Sequence, residues 1–210
     1  MKKISFVIIT MLMMSMAAMA QQGSWYLGGT VGYSSTTDKA PAPSTFKTTS
    51  SSWSFAPEAG TFLKDDIQLG FALGLSGSSQ KDTGGKIGST SGFSPTIYMR
   101  KFFKVTDNFS VFTGVYLNYI SQKSTDYTVS PSVESTTSGV GLRLGAGVAY
   151  ALSPRFTAVG QYGILGYQST TDKVAGVSSG TTSSFNFGVN TVGTGSVFNI
   201  GLYYTIKKAG

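Results

Sequence analysis

Period-two alternation, short turns alternating with long polar connectors, and no run of about 20 apolar residues beyond the N-terminus predict an all-β fold. The predicted architecture is one antiparallel, up-and-down transmembrane β-barrel of eight strands. Residues 67–76, IQLGFALGLS, show the pattern most clearly. Ile67, Leu69, Phe71, Leu73 and Leu75 fall on one face; Gln68, Gly70, Ala72, Gly74 and Ser76 fall on the other. Successive strand residues point to opposite faces, so one face is uniformly greasy and the other nearly bare. A solvated second face would carry Lys, Glu or Thr. Glycine and alanine suit a narrow interior instead, which turns the apolar face outward, toward lipid.

Composition agrees. Charged residues make up 12% of the chain, against roughly 25–35% of the surface of a small soluble domain. The 27 glycines and the 13% aromatic content favour many short strands and turns. Hydrophobic content is 40%. A bundle of apolar helices is excluded, but a barrel, whose apolar signal is diluted by alternation, is not. The formal charge of +7 falls once Lys2 and Lys3 are set aside with a signal segment, leaving 14 basic against 9 acidic residues. These are scattered, apart from the pair Lys207–Lys208, and give no electrostatic footprint for nucleic acid. Cysteine and histidine are both absent. The chain therefore has no disulfide, no thiolate metal site, no lipid-anchor cysteine and no histidine base.

Residues 1–20 begin with two lysines, continue through an apolar run from Ile4 to Met19 and end Ala18-Met19-Ala20. That order predicts a secretory signal cut before Gln21. A barrel of about 190 residues follows, over 21–206, and then a short basic tail over 207–210.

The eight strands are expected as follows. The first runs from Trp25 to Tyr33, with Trp25, Leu27, Val31 and Tyr33 on one face. The second, Trp53 to Leu63, is less regular and carries Glu58 opposite Trp53, Phe55, Ala59 and Leu63. The third is residues 67–76. The fourth, Phe93 to Phe103, faces Ile97 and Met99 outward and Thr96, Tyr98 and Arg100 inward. The fifth, Phe109 to Ile120, turns Val111, Val115, Leu117 and Tyr119 outward. The sixth, Gly139 to Tyr150, alternates as cleanly as the third, with Gly141, Arg143, Gly145, Gly147 and Ala149 inward. In the seventh, Phe156 to Tyr167, the phase changes after Ile164, which predicts a bulge near Gly163 or Gly166. The eighth, Val197 to Ile206, carries Phe198, Ile200, Leu202, Tyr204 and Ile206 outward. Each is near the roughly 9–11 residues that cross a bilayer at a tilt. Phe185, Phe187 and Val189 also alternate. They read as the eighth strand beginning early, above an irregularity at Gly193–Gly195, with a ninth strand or a ten-stranded barrel as the alternative.

Lys64-Asp65-Asp66, Lys104 to Asn108 and Ser153-Pro154-Arg155 are short and rich in turn formers. Between them lie four long Ser/Thr/Gly-rich connectors: 34–52, 77–92, 121–138 and 168–196. Short turns at one rim, long loops at the other and an even strand count describe a bacterial outer-membrane barrel.

With these patterns in hand, the stretches GTFLKDDIQLGFALGLS (60–76), YMRKFFKVTDNFSVFTGVYLNY (98–119), SPRFTAVGQYGILGY (153–167) and VFNIGLYY (197–204) resemble the small outer-membrane β-barrel family common in Bacteroidetes. That family is similar in architecture to the OmpA and OmpX eight-stranded barrels. The resemblance spans essentially the whole mature chain and specifies fold far better than activity. It implies contact with outer-membrane lipid, lipopolysaccharide included, and with the barrel-assembly machinery during biogenesis. Such barrels usually end on an aromatic that this machinery recognises. Here alternation ends at Ile206 and passes into Lys207-Lys208-Ala209-Gly210.

Three charged side chains fall mid-strand on the inward phase: Glu58, Arg100 and Arg143. An unpaired charge in a narrow barrel is costly, so an ionic network across the lumen is expected. It serves either as a packing network that stiffens the interior or as a narrow ion path. Trp25, Tyr33, Trp53, Phe93, Phe103, Phe109, Tyr119, Tyr150, Phe156, Tyr167 and Tyr204 lie near strand ends and are expected in two interfacial girdles. Phe62 and Phe102 lie near the short turns too. Lys101 falls on the lipid face near a short turn, where its chain can reach the headgroups. The connectors hold Lys39, Lys47, Lys81, Lys86, Lys123 and Lys173 against Asp38, Asp82, Asp126, Glu134 and Asp172. They read first as solvated tips and second as a surface for the anionic sugar–lipid leaflet.

No metal constellation, paired acids or phosphate loop is found, so no cofactor, metal or catalysis is expected. The leading reading is a structural or surface-interaction protein acting through its loops, with an extracellular partner the sequence does not name. The alternatives are a narrow passive channel or small-ligand carrier through the polar lumen, and a soluble periplasmic lipocalin-like binder.

Overall fold

Each alternating stretch forms a strand, and most strands run well past it. The computed structural model describes residues 24–40, 46–174, 177–187 and 199–206. Its elements in chain order are β1 (Trp25–Lys39), β2 (Lys47–Lys64), β3 (Ile67–Asp82), β4 (Gly85–Lys104), β5 (Phe109–Asp126), β6 (Val133–Ala151), β7 (Phe156–Val174), β8 (Val177–Phe187) and β9 (Asn199–Ile206). The predicted signal segment, the basic tail and the Gly193–Gly195 irregularity lie outside the described residues, as does the start of the predicted eighth strand.

Neighbouring strands pair antiparallel from β1 through β7. The ring then closes through β9, which pairs with β7 on one side and β1 on the other. The eighth stave is in two pieces on the same edge of β7: β8 pairs with Leu165–Val174 and β9 with Phe156–Gln161. Between these two stretches β7 carries residues 162–164. The early alternation at Phe185 and Phe187 is thus the upper part of the eighth stave. The register against β6 slips between Leu144 and Gly145, leaving Ile164 as the extra residue of β7. This is the bulge that the change of phase predicts.

The long connectors are mostly paired strand rather than irregular loop. The 77–92 connector is a paired hairpin with one register shift, between Gln80 and Lys81, and is closed by Asp82, whose Oδ1 accepts from Gly84 N at 2.7 Å and Gly85 N at 2.9 Å. Gly85 turns there with φ +135°, a region that favours glycine. In this upper region Ser and Thr occupy both faces. They bond across strands, as Thr90 does to Ser124 at 2.9 Å and Thr171 to Thr181 at 3.1 Å. Threonine favours strands, but two hydrophilic faces leave no apolar phase, so hydrophobic periodicity is blind to these extensions. β4, with 20 residues, is about 65 Å long, far more than an apolar band about 25 Å tall requires at the usual tilt. The apolar outward positions stop at Tyr33, Trp53, Leu75, Phe93, Tyr119, Val140 and Tyr167. Above them stands a crown of polar hairpins.

The side chains are arranged inside out relative to a water-soluble barrel. Leu27, Val31, Ile97, Leu117, Leu142 and Leu202 are exposed on the outer wall, Ile97 at 57%. The buried cluster is inside and consists of Tyr26, Tyr98, Phe112, Tyr116 and Tyr203 with Ala72, Ala149 and Val159. A lipocalin-like binder would place its aliphatic residues inward, and this wall does the reverse. The glycine-rich inner phase makes room for the rings. A Cβ on Gly70 would collide with the Tyr26 hydroxyl and stand 2.5 Å from Tyr98 Cζ.

Gly70→Val is expected to destabilise the barrel by about 3 kcal/mol, because two buried tyrosines fix the space it would fill. Gly88→Ala serves as control: its new Cβ would meet nothing nearer than Thr125 O at 3.9 Å. It should change stability by less than about 0.5 kcal/mol. The urea midpoint for loss of the compact, heat-modifiable gel band measures both.

Candidate functional site in the barrel lumen

The register across six strands brings the inner wall together around one guanidinium. Arg100 on β4 lies opposite Gln68 on β3 and Gly114 on β5. Tyr98, two residues earlier, lies opposite Gly70 and Tyr116. Glu58 on β2 and Tyr203 on β9 both lie opposite inward positions of neighbouring strands, Ala72 and Gly28. Small residues at Gly114, Gly70, Ala72 and Gly28 leave room beside these large polar side chains, which meet at the centre of the ring.

Arg100 is 1% exposed. Its Nε donates to Tyr116 Oη at 3.0 Å. Its Nη1 donates to Gln68 Oε1 and Tyr203 Oη, both at 3.2 Å. Its Nη2 donates to Glu58 Oε2 and Gln161 Oε1, both at 3.1 Å. A guanidinium has five N–H donors in a fixed fork, and every one is used. The same group lies over the Tyr98 ring, 4.0 Å from its centroid.

The acceptors are organised in turn. Glu58 Oε2 accepts from Tyr98 at 2.7 Å and from Tyr203 at 2.8 Å as well as from Arg100. Because Tyr98 gives its proton to Glu58, the 2.6 Å contact between the Tyr26 and Tyr98 hydroxyls has Tyr26 as donor. Tyr116 accepts from Arg100 and donates to Gln161 Oε1 at 3.1 Å. A buried ion pair repays its desolvation only when its remaining donors and acceptors are satisfied, and here all five guanidinium donors and Glu58 Oε2 have partners.

Toward the short turns the lumen is filled by rings. Phe62 packs on Tyr26 and Phe102 with centroids 6.0 Å apart, and Phe102 packs on Phe112 at 5.1 Å. Phe62 and Phe102 thus face inward, not into an interfacial girdle. Toward the crown the inward positions on β4 and β5 pass from buried Tyr98 and Tyr116 to half-buried Thr96 and Asn118. The lumen is plugged in its lower part and opens upward as a vestibule lined by Ser, Thr, Asn and Gln.

Of the three charged residues singled out in the sequence, Glu58 and Arg100 are brought together and Arg143 is not. Arg143 is half-buried on β6 with its guanidinium 4.6 Å from the centre of the Tyr116 ring. It makes no ion pair among the described residues. Of the girdle residues, Tyr33, Trp53, Phe93, Tyr119 and Tyr167 are exposed where the apolar wall meets the crown. Phe103, Tyr150 and Phe156 are exposed toward the short turns, with Trp25, Phe109 and Tyr204 half-buried there. Tyr204 packs edge-on against Phe156 at 5.1 Å and accepts from Arg155 Nη1 at 3.0 Å. Lys101, on the outer wall, pairs with Asp66 at 3.2 Å.

Sequence reasoning missed Tyr26, Tyr116, Tyr203, Gln68 and Gln161 as members of the network. The available signal was large or amide side chains on the glycine phase. Among the described residues there is no group of three His, Cys, Asp or Glu that could hold a metal ion.

A family model described as an outer membrane protein beta-barrel domain matches residues 6–192. Comparison with curated protein sequences gave no match. Among solved structures, the outer membrane protein OprG from Pseudomonas aeruginosa aligns with a TM-score of 0.51 and 14% identity, over 89% of this chain and 97% of that one. Neisserial surface protein A aligns at 0.46 and 14%, over 87% and 98%. The translocator domain of the autotransporter NalP from Neisseria meningitidis aligns at 0.47 and 11%, over 87% and 66%. At these identities OprG speaks for the fold alone, and the two lower alignments add no argument.

Removing one partner of the buried pair strands the other. Glu58→Gln is expected to cost about 3 kcal/mol or more in unfolding free energy. The double variant Glu58→Gln/Arg100→Met should lose clearly less than the sum of the two single changes. Urea midpoints of all four proteins in the cycle measure the coupling.

Proposed function

The chain belongs to the outer membrane protein β-barrel domain family and resides in the cell outer membrane, and from that premise we propose that it is a non-conducting barrel with a structural and surface-interaction role. The observation that carries this reading is the plug. Arg100 is 1% exposed with all five donors engaged, and Tyr26, Tyr98, Phe112, Tyr116 and Tyr203 are packed around it. An eight-stranded lumen is just wide enough to be filled by side chains, so a satisfied network at this level leaves no continuous aqueous path. The passive-channel reading would need that network to open.

The part available for interaction is then the crown. Its hairpins are paired strand, extend well beyond the lipid-facing wall and carry Ser and Thr on both faces. Binding groups held on paired strands are more precisely placed than groups on irregular loops. Lys123 is already paired with Glu134 at 2.8 Å, which weakens a general electrostatic reading toward the anionic sugar–lipid leaflet. Contact with outer-membrane lipid, lipopolysaccharide included, falls to the outer wall and its aromatic rims. The reading also includes export by the segment 1–20, insertion by the barrel-assembly machinery, and no catalysis. The chain has no histidine or cysteine, and Glu58, the carboxylate at the level of the plug, has its Oε2 taken by Arg100, Tyr98 and Tyr203.

In planar bilayers the refolded, heat-modifiable wild type is expected to give no conductance steps, and Arg100→Ala to give discrete ones. Ohmic steps from the wild type would replace this reading with the channel. Replacing residues 78–90 by an Asn-Gly turn should leave the barrel folded while cell attachment to surfaces falls. Unchanged attachment would remove the crown from the reading.

A further inference from the structure

The membrane-level lumen contains two cations and one carboxylate, and Arg100 has taken the carboxylate. Arg143 is left without an ion pair or hydrogen bond among the described residues. All nine acidic residues of the chain are described, so no carboxylate side chain elsewhere is held back for it. A half-buried guanidinium resting on a tyrosine ring, with its N–H fork uncommitted, is a charge awaiting a counter-charge.

Its neighbours are also uncommitted. Gly141 sits two residues from Arg143 on the same face of β6, opposite Asn118 on β5 and Gln168 on β7. Directly opposed residues of antiparallel strands have Cα atoms about 4.5–5.5 Å apart. The Asn118 amide stands over Gly141, its Oδ1 2.7 Å from where a Cβ would lie. Like Arg143, neither Asn118 nor Gln168 has a side-chain hydrogen bond among the described residues, and all three are half-buried. Below this group lies the sealed plug, and above it the hydroxyl-lined vestibule. The inward carboxylate above it on β7, Asp172, is roughly 13 Å along the strand from Gln168 and is engaged by Thr137 Oγ1 at 2.5 Å.

We propose that Arg143, Asn118 and Gln168 form a binding site for a small oxyanion, of the carboxylate or phosphate class, reached through the vestibule from the crown side. The planar guanidinium matches two oxygens of such a group, and the two amides add N–H donors beside it. A bound monoanion brings the three lumen charges of Glu58, Arg100 and Arg143 to neutrality. The site lies above the plug, so binding needs no passage through the barrel and is independent of the crown's role at the surface.

The test uses wild-type barrel refolded in detergent and labelled with ¹⁵N-arginine. The chain has three arginines, 100, 143 and 155, so the Nε–H spectrum has three signals. Arg155→Lys removes the exposed one, and of the remaining two the deuterium-protected signal is Arg100. Inorganic phosphate, and separately acetate, is titrated at ionic strength held constant with sodium chloride. The expected result is a saturable shift of the Arg143 signal with at least one oxyanion, Arg100 unmoved, and affinity about tenfold weaker in Asn118→Ala. An unmoved Arg143 signal with both anions overturns the proposal. So does an equal response to added chloride alone, or an unchanged affinity in both Asn118→Ala and Gln168→Ala.

Discussion

The bond between Arg100 and Glu58 is the interaction on which the interior depends. Two opposite charges in a narrow lumen are tolerable only if every donor of the guanidinium and the shared carboxylate oxygen are met. That requirement recruits Tyr98, Tyr116, Tyr203, Gln68 and Gln161 from four further strands and one shared strand. Side chains on six of the nine strands are therefore tied to one planar group. Loss of register between any two of those strands would remove a partner from the centre, so the network specifies the ring as well as filling it.

Closure supplies the complementary constraint from outside. In lipid each backbone N–H and C=O must be met by a neighbouring strand, and over Trp25–Gly29 of β1 and Phe156–Gln161 of β7 it is β9 that meets that need, joining the two. The ring is narrow, and narrowness explains the glycines. A residue such as Gly70 is small because Tyr26 and Tyr98 occupy its share of the lumen. The bare phase and the buried tyrosines are two halves of one packing solution: small residues on the wall, large ones reaching to the axis.

The division of each strand into two chemical zones links packing to function. In the lower zone one face meets lipid and the other meets the plug, so the two phases differ sharply. In the crown both faces meet water, and cross-strand hydroxyl pairs such as Thr37 with Thr49 at 3.2 Å replace apolar contact. The strand ladder continues through the change. What alters is the solvent, and with it the meaning of every side-chain position.

The sequence by itself determined the strand phases at the membrane level, the outward aliphatic wall, the bulge in the seventh strand and the inward placement of Glu58, Arg100 and Arg143. These are local properties: alternation with period two is written along the chain, and a glycine-rich phase opposite an aliphatic one states which side is crowded. It did not determine the length of the strands above the membrane, because residues equally hydrophilic on both faces leave no periodic trace. Nor did it determine which charges meet. Glu58 and Arg100 are 42 residues apart, Arg100 and Tyr203 are 103 apart, and their encounter depends on register accumulated across the closed ring. Arg143 carries the same residue type on the same inward phase, yet stands outside the pair. Only the tertiary structure decides that, because a single carboxylate in a narrow barrel can be reached by the side chains whose stagger points them at it and by no others.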